Sequence, residues 1–324
     1  MPDDTSYLCA LDPPSPSVAI LLCTYQGDKF LAEQLDSFLL QTHSNWKVWA
    51  SDAGSTDDTL AILNNYQQVW GEAKLTILHG PVTGATDNFM SLVYNTDIQA
   101  DYYAFSDQDD IWEADKLRRA MCMLDRNLEP DYQDTPALYC SRTRYVDAHN
   151  HELGLSQLFK RPPSFGNALM QNIAGGNTMV FNDSARQLLL CVEKTTPIVI
   201  HDWWVYIVVT GCGGTVCYDR YPSLRYRQHS GNLIGMNSSM SARMIRVRML
   251  LQGEFKEWCE KNIAALQQIR DKLTPRNQQT LDQFVQARQT WMLPRLVQLL
   301  WTGIYRQTAL GNLGLIVAAV FNKL

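Results

Sequence analysis

Three carboxylates crowd together at Asp107, Asp109 and Asp110, within Phe105-Ser106-Asp107-Gln108-Asp109-Asp110-Ile111-Trp112. Like charges this close repel unless a cation is shared among them, and hard divalent ions such as Mg²⁺ and Mn²⁺ take oxygen ligands. A turn of this kind could hold a metal that in turn holds a phosphate. The competing reading is helix capping: Asp is a good N-cap, and Trp112 with the following Glu113-Ala114-Asp115-Lys116-Leu117-Arg118-Arg119 opens a helical pattern. A second chemical candidate is Asp202, set between His201 and the indoles of Trp203 and Trp204. Beside large aromatic rings a carboxyl can have a raised pKa and serve as a base, although it could equally cap the apolar helix Val205-Tyr206-Ile207-Val208-Val209. Gly175 and Gly176, just ahead of a strand-like run, would let a backbone approach a ligand closely or else form an ordinary tight turn.

Such residues work only where other elements bring them to one place. Val18-Ala19-Ile20-Leu21-Leu22-Cys23 is a continuous apolar run, the pattern of a strand buried on both faces of a parallel sheet. It ends at Thr24-Tyr25-Gln26-Gly27, and Leu31, Leu35, Phe38 and Leu39 follow at helical spacing. Trp46-Lys47-Val48-Trp49-Ala50 reads as a second strand ending at Ser51-Asp52, and Ala53-Gly54-Ser55-Thr56-Asp57-Asp58 as a turn that caps the next helix. A third strand at Leu75-Thr76-Ile77-Leu78, a helix around Phe89, Leu92 and Val93, and a fourth strand at Tyr102-Tyr103-Ala104-Phe105 continue the alternation. This pattern predicts an α/β fold with a parallel sheet, in which ligands bind outside the carboxyl ends of the strands. The acidic turn falls at such an end. Further strands are expected at Ala137-Leu138-Tyr139-Cys140-Ser141, Thr178-Met179-Val180-Phe181 and Ser223-Leu224-Arg225, separated by longer polar connections.

A chain of 324 residues suffices for one large domain or a domain with an appendage. Its net charge of -5 opposes a general affinity for nucleic acid, so no nucleic-acid partner is expected. The eight cysteines are scattered without CxxC pairs, which implies neither a zinc site nor a disulfide framework and fits a reducing, cytoplasmic compartment. Asp3 and Asp4, with no apolar run behind them, oppose a secretory signal, and residues 1–16, ending in Pro13-Pro14-Ser15-Pro16, read as a flexible leader.

Taken in order, these pieces resemble family 2 glycosyltransferases of the GT-A fold, and most closely bacterial rhamnosyltransferase-like enzymes of surface-polysaccharide synthesis. The likeness rests on Cys23-Thr24-Tyr25-Gln26-Gly27, Glu33-Gln34-Leu35-Asp36-Ser37, Ser51-Asp52-Ala53-Gly54-Ser55-Thr56-Asp57, Asn88-Phe89, the acidic turn, His201-Asp202-Trp203 and Arg227-Gln228-His229-Ser230-Gly231-Asn232. It implies a Rossmann-like, mostly parallel sheet flanked by helices over residues 17–236, with a helical extension over 237–324. By the same resemblance Thr24, Tyr25, Glu33 and Asp52 hold the base and ribose of a nucleotide-sugar donor, and Asn88 and Gln108 join that set. Asp107 is the first carboxylate of the DxD motif, near the ribose. Asp109 is the second, on a Mg²⁺ or Mn²⁺ ion, and His229 is a diphosphate or metal contact. Asp202 is the catalytic base. Trp112, Gly175, Gly176 and Trp203 are candidates for the sugar or acceptor side. In one departure, Ala53 stands where the family commonly has a second acid. The implied reaction is an inverting, metal-dependent transfer, with rhamnose from dTDP-rhamnose as the leading donor, to a glycan or lipid-linked glycan in O-antigen or capsule synthesis.

The tail has a different character. Met244, Val247, Leu250 and Leu251 alternate with Arg243, Arg246 and Arg248, and a second stripe runs through Trp291, Leu293, Leu296, Leu299, Leu300, Trp301, Ile304 and Tyr305 with Arg295 and Arg306. Such helices either pack on the catalytic domain, serve a homodimer or lie on a membrane. The run from Leu313 to Phe321 is too short to span a bilayer, so the expectation is peripheral attachment at the cytoplasmic face of the inner membrane. Two alternatives compete with the transferase: a sugar-nucleotide pyrophosphorylase or other nucleotidyltransferase, and a non-catalytic scaffold of a polysaccharide assembly complex. The first should carry a Gly- and basic-rich phosphate loop near Val18–Cys23, where none is found, and the second should have lost Asp107, Asp109 or Asp202.

Overall fold

The computed structural model describes residues 15–127, 134–229 and 253–324. In chain order it runs β1 (Val18–Thr24), α1 (Leu31–Leu39), β2 (Trp46–Asp52), α2 (Thr59–Trp70), β3 (Leu75–His79), α3 (Ala85–Val93), β4 (Tyr102–Ser106), β5 (Ile111–Trp112) and α4 (Lys116–Asn127). It continues with β6 (Ala137–Val146), β7 (Glu152–Leu155), α5 (Phe165–Ala168), β8 (Val180–Asn182), α6 (Asp183–Leu189), α7 (His201–Gly211) and β9 (Thr215–Arg227). Four helices close the chain: α8 (Glu254–Gln268), α9 (Pro275–Gln289), α10 (Met292–Trp301) and α11 (Ala309–Val320).

One sheet has the order β3-β2-β1-β4-β8-β6-β9-β5, with β7 paired to β6. β8 is antiparallel to both β4 and β6, β5 to β9, and β7 to β6, and the other strands share one direction. The mostly parallel sheet expected from the sequence is therefore present. Along β1 successive side chains point to opposite faces: Ala19, Leu21 and Cys23 enter one apolar core, while Val18, Ile20 and Leu22 enter the other. Helices α1, α2 and α4 cover the second core, and α3, α6 and α7 the first, which explains a strand apolar at every position.

Register sets the site. Thr24 lies opposite Asp52 and Leu22 opposite Ser106, so the carboxyl ends of β1, β2 and β4 form one edge. Because β8 runs against β4, with Val180 opposite Ala104, the residues that precede β8 return to that same edge. β9 pairs with β5 and delivers Arg227 there as well.

Several expectations change. Trp112 does not open a helix: Ile111 and Trp112 pair with Arg225 and Leu224, and the helix begins only at Lys116. Tertiary pairing, with the Trp112 ring 4.7 Å from Phe38, overrides the local pattern. The acidic turn thus runs from strand to strand, and helix capping does not account for it. Nor does Asp202 occupy the N-cap of α7, which is Ile200. The strand expected at Thr178–Phe181 is present as β8 but begins two residues later, at Val180, because Gly176–Thr178 forms a 3₁₀ turn ahead of it. Among the described residues Cys23, Cys140, Cys191, Cys212, Cys217 and Cys259 are free thiols. The stripe at Met244–Leu251 and the Ser230-Gly231-Asn232 segment lie outside the described residues.

The C-terminal helices are not a separate body of apolar contacts. Leu266, Ile269, Leu273, Leu281 and Phe284 belong to the same core as Leu21 and Phe105. Asn277 Nδ2 donates to the carbonyls of Thr210 (3.0 Å) and Gly211 (2.9 Å), satisfying acceptors that the last turn of α7 leaves open.

Candidate active site

Four segments meet at the carboxyl edge: the acidic turn, residues 175–178, the start of α7 and the end of β9. Asp110 is fully buried and accepts from Asn177 Nδ2 (2.7 Å) and from the Arg227 backbone N–H (3.2 Å). Lys116, also fully buried, donates to the Asn177 carbonyl at 2.6 Å and lies over the Trp112 ring at 3.4 Å. Arg227 has no exposed surface; it donates to the Asp109 carbonyl (3.0 Å), the Ala148 carbonyl (3.0 Å) and Glu33 Oε2 (2.7 Å). Asp109 Oδ2 meets His229 Nε2 at 2.7 Å.

Electrostatics at this edge are strained in one direction. The Asp107 carboxyl is pushed up to about 7, first by burial, then by the charges of Asp109 and Asp202, with Lys116 opposing. Asp110 is held well above the carboxylate range by burial and then by Asp109 and Asp107, although Asn177 and Arg227 counter. Burial holds Lys116 well below its ordinary value, with Asp110 and Asp107 pulling it back. A nearby positive charge favours the ionised form of carboxyls placed like these.

Asp202 sits in the first turn of α7, where its Oδ2 accepts from the Gly176 N–H at 2.8 Å and its Oδ1 from the Trp203 N–H at 2.6 Å. Burial raises its pKa to about 6 against the pull of those N–H groups and of Asn172. Gly176 is tight: a Cβ there would fall 2.8 Å from His201 Nε2 and 3.3 Å from Asp202 Cβ. His201 stacks on Phe89 with ring centroids 4.0 Å apart, and burial pushes its pKa down to about 3. It is thus a neutral ring beside the carboxylate, and neither ring nitrogen has a partner among the described residues.

The donor-side candidates divide into two groups. Tyr25 is 59% exposed, and its backbone N–H and carbonyl pair with Gln108 Oε1 and Nε2, each at 2.9 Å. Glu33 is half exposed and joins the acidic turn through Arg227. Thr24, Asp52 and Asn88, by contrast, are each 2% exposed. The Asp52 carboxylate accepts from Thr24 Oγ1 (2.9 Å), Ser55 Oγ (2.6 Å), and the N–H groups of Gly54 (3.0 Å) and Ser55 (2.8 Å). Four donors fill the usual accepting capacity of a carboxylate, so Asp52 shapes the loop after β2. Asn88 exchanges hydrogen bonds with Ser51, whose hydroxyl donates to its Oδ1 (2.6 Å) and whose carbonyl accepts from its Nδ2 (3.0 Å), tying α3 to β2.

On the proposed sugar side, Gly175 and Gly176 reach the edge but the two indoles do not offer a face. Trp112 is 2% exposed between α1 and Lys116. Trp203 is 4% exposed, with its N–H on the Ala168 carbonyl at 2.6 Å and its ring against Phe255 and Trp258. Three further residues belong to this edge without a clear mark in the sequence: Lys116, Asn177 and Arg227. Arg227 stood in the same run as His229, a usable signal; Lys116 read as an ordinary helix charge, and Asn177 gains meaning only through the β4–β8 pairing.

Whether these residues suit a divalent ion can be tested on their donors. Among the described residues no three His, Cys, Asp or Glu side chains converge into a metal-holding cluster. Mg²⁺ and similar ions at phosphate sites commonly take only one or two carboxylates from the protein, the rest coming from substrate phosphate and water. Asp109 and His229, 2.7 Å apart and each about one-fifth exposed, fit that limited role.

A sequence model of Glycosyl transferase family 2 matches residues 19–189. The dTDP-rhamnosyl transferase RfbG of Shigella flexneri is 28% identical over 253 residues, which is 76% of this chain and 83% of that protein. The fold is similar to mannosyltransferase PcManGT from Pyrobaculum calidifontis, solved in complex with GDP-Man and Mn²⁺, at TM-score 0.51 and 16% identity over 97% of this chain and 88% of that one. It is also similar to S. aureus TarS 1-349 in complex with UDP, at TM-score 0.53 and 12% identity over 85% and 93% of the two chains. At such identities the structural likeness concerns the fold alone, and that fold is GT-A.

Proposed function

The chain belongs to Glycosyl transferase family 2, a family of glycosyltransferases, and from that premise we propose an inverting transfer of rhamnose from dTDP-rhamnose to a glycan or lipid-linked glycan acceptor. The setting is synthesis of O-antigen or capsule at the cytoplasmic face of the inner membrane, with catalysis assigned to residues 17–236. The observation that carries this reading is the Asp202 carboxylate, oriented by the Gly176 N–H and raised to about 6, within the electrostatic reach of the acidic turn.

In this reading Asp202 takes the proton from the acceptor hydroxyl as that oxygen attacks the anomeric carbon, and a pKa near 6 leaves it ionised at neutral pH yet basic enough to serve. The donor nucleotide lies against Tyr25 and Gln108, with Asp107 toward the ribose. Asp109 and His229 would hold Mg²⁺ or Mn²⁺ when it is bound, and the ion would supply charge stabilisation where negative charge grows on the leaving diphosphate. Arg227 and Lys116 fix the acidic turn from behind, through Asp110, Asn177 and the Asp109 carbonyl. Attack on the face opposite the leaving group inverts the anomeric centre, and no covalent enzyme intermediate is required.

Support for the donor comes from RfbG, whose name specifies dTDP-rhamnosyl transfer, and for a metal from PcManGT, solved with Mn²⁺. Family membership favours glycosyl over nucleotidyl transfer, and the intact Asp107, Asp109 and Asp202 oppose a silent scaffold. A panel of nucleotide sugars incubated with the protein and Mn²⁺ or Mg²⁺ tests the reading by the nucleoside diphosphate released. Release of dTDP from dTDP-rhamnose, abolished by EDTA, is expected. Release of UDP or GDP alone would replace the donor, and equal release in EDTA would remove the metal.

A further inference from the structure

The loop between α10 and α11 directs its polar groups to the segment that leads to the base. Asn167 Nδ2 donates to the Tyr305 carbonyl (3.0 Å), Arg306 Nη1 to the Met170 carbonyl (2.7 Å), and the Gln307 N–H to Gln171 Oε1 (2.9 Å). At Gly166 a Cβ would fall 2.5 Å from the Gly303 carbonyl oxygen, so the two backbones touch. Asn312 on α11 holds the loop in shape: its Oδ1 accepts from the Arg306 N–H (2.8 Å) and its Nδ2 donates to the Arg306 carbonyl (2.8 Å). The loop therefore meets residues 166–171 as a formed strap.

From residues 166–171 the contacts run to Asp202 by two routes. Along the chain, Asn172 Oδ1 accepts from the Ala174 N–H (3.0 Å), the Gly175 carbonyl accepts from the Thr178 N–H (2.9 Å), and Gly176, inside that turn, donates to Asp202 Oδ2 (2.8 Å). Across to α7, Asn167 Oδ1 accepts from the Tyr206 hydroxyl (3.0 Å) and the Ala168 carbonyl from Trp203 Nε1 (2.6 Å), Trp203 being the residue after Asp202. Asn167, fully buried, thus bonds the strap with one end of its amide and α7 with the other. Burial of Leu169, Met170 and Ile173 also anchors the segment, but apolar burial has no direction and does not aim a particular N–H. Hydrogen bonds do, because they weaken steeply away from a straight line.

We propose that Arg306 and Gln171 are positioning residues for the base: they strap residues 170–176 so that the Gly176 N–H meets Asp202 in the orientation that transfer needs. The proposal deepens the reading of Asp202 as the base and rests on it. Each residue acts on Asp202 through the loop that carries Gly176. The far end of that loop is pinned by Asn177, whose carbonyl accepts from Lys116 (2.6 Å) and whose Nδ2 donates to Asp110 (2.7 Å). The strap fixes the near end, so the base is held between the acidic turn and the helical tail. A C-terminal extension outside residues 17–236 in this way takes part in setting the site.

Amide exchange and turnover of the full-length protein test this. Replacing Arg306→Met and Gln171→Met together removes two strap bonds with little change of volume. Exchange in peptides covering 172–178 should quicken roughly tenfold as local opening becomes easier, while exchange in β1 and β4, the melting temperature and nucleotide affinity hold. Turnover should fall roughly 10–100-fold, since a shift of about 1 Å in a catalytic group can cost that much. Arg306→Lys in place of Arg306→Met keeps a donor for the Met170 carbonyl and should restore most of both readouts. Unchanged exchange at 172–178, or quicker exchange there with full turnover, overturns the proposal. So does a double variant in which β1 and β4 exchange faster as well, since the strap would then only hold the fold together. Turnover is read with whichever nucleotide sugar the panel selects and exchange needs none, so a failed donor assignment would not imitate a failed strap. Failure of the base reading shows separately, as near-native turnover in Asp202→Asn.

Discussion

Asp202 can accept a proton only while ionised, and burial has moved that limit up to about 6. Transfer should therefore fall as pH drops through about 6, because protonation removes the base. Asp202→Asn keeps the shape and, through its one amide oxygen, can keep one of the two N–H bonds that Oδ1 and Oδ2 now accept from Trp203 and Gly176, yet it cannot take a proton. The variant should keep its melting temperature and dTDP affinity while turnover falls roughly 10²–10⁴-fold, the usual worth of general-base catalysis. Turnover, melting and nucleotide binding measured on one preparation check this, and near-native turnover would move the base elsewhere. A helix-capping role predicts little change, since Asn and Asp cap almost equally well; the Ile200 N-cap already argues against that role.

The turn after β1 shows how a glycine can serve a side chain from another element. Gly27 has no need of a left-handed backbone; its lack of a Cβ is what matters, since that atom would fall 2.1 Å from Gln108 Oε1 and 2.5 Å from Gln108 Cδ. Gln108 uses that space to pair with both backbone groups of Tyr25, joining the β1 turn to the acidic turn. Gly27→Ala should push Gln108 off Tyr25 without unfolding the chain, because the obstructing group is the end of a flexible side chain. Two exposed hydrogen bonds at about 1 kcal/mol each set the scale. Nucleotide affinity by titration calorimetry should drop roughly tenfold with the melting temperature within a few degrees. A fully retained affinity would show that the clamp does not shape the donor site.

Across the whole molecule the helical tail and the sheet share one core, in which Phe284 is 1% exposed and Leu281 fully buried. Unfolding should then be a single transition, in spite of the sequence division at residue 236. Phe284→Ala should cost about 3–5 kcal/mol, as expected for an aromatic side chain removed from a packed core. Urea titrations followed by tryptophan fluorescence and by loss of nucleotide binding should shift together. If nucleotide binding survived a first transition that the mutation alone moves, the tail would be an independent unit.

Much of this protein was legible from residue order. The apolar run Val18–Cys23, the alternation that follows it and the acidic turn after Phe105 determined a mostly parallel sheet with a carboxylate cluster at its edge, because burial on both faces and strand polarity are written in local pattern. The neighbours His201, Trp203 and Trp204 marked Asp202 as a candidate base, and family likeness added its catalytic role and His229. Tertiary structure decided what pairing over long separations decides. It folded Trp112 into β5 and Trp203 into the core, and it closed Asp52 and Asn88 into hydrogen bonds with the β2 end and its loop. It also placed Lys116 and Arg227 behind the acidic turn. The hydrogen bonds of these buried cations span long stretches of sequence: the Lys116 ammonium donates to the Asn177 carbonyl 61 residues away, and the Arg227 guanidinium to the Asp109 carbonyl 118 residues away. Those distances close only when β8 runs back beside β4 and β9 beside β5, and no local periodicity encodes that return.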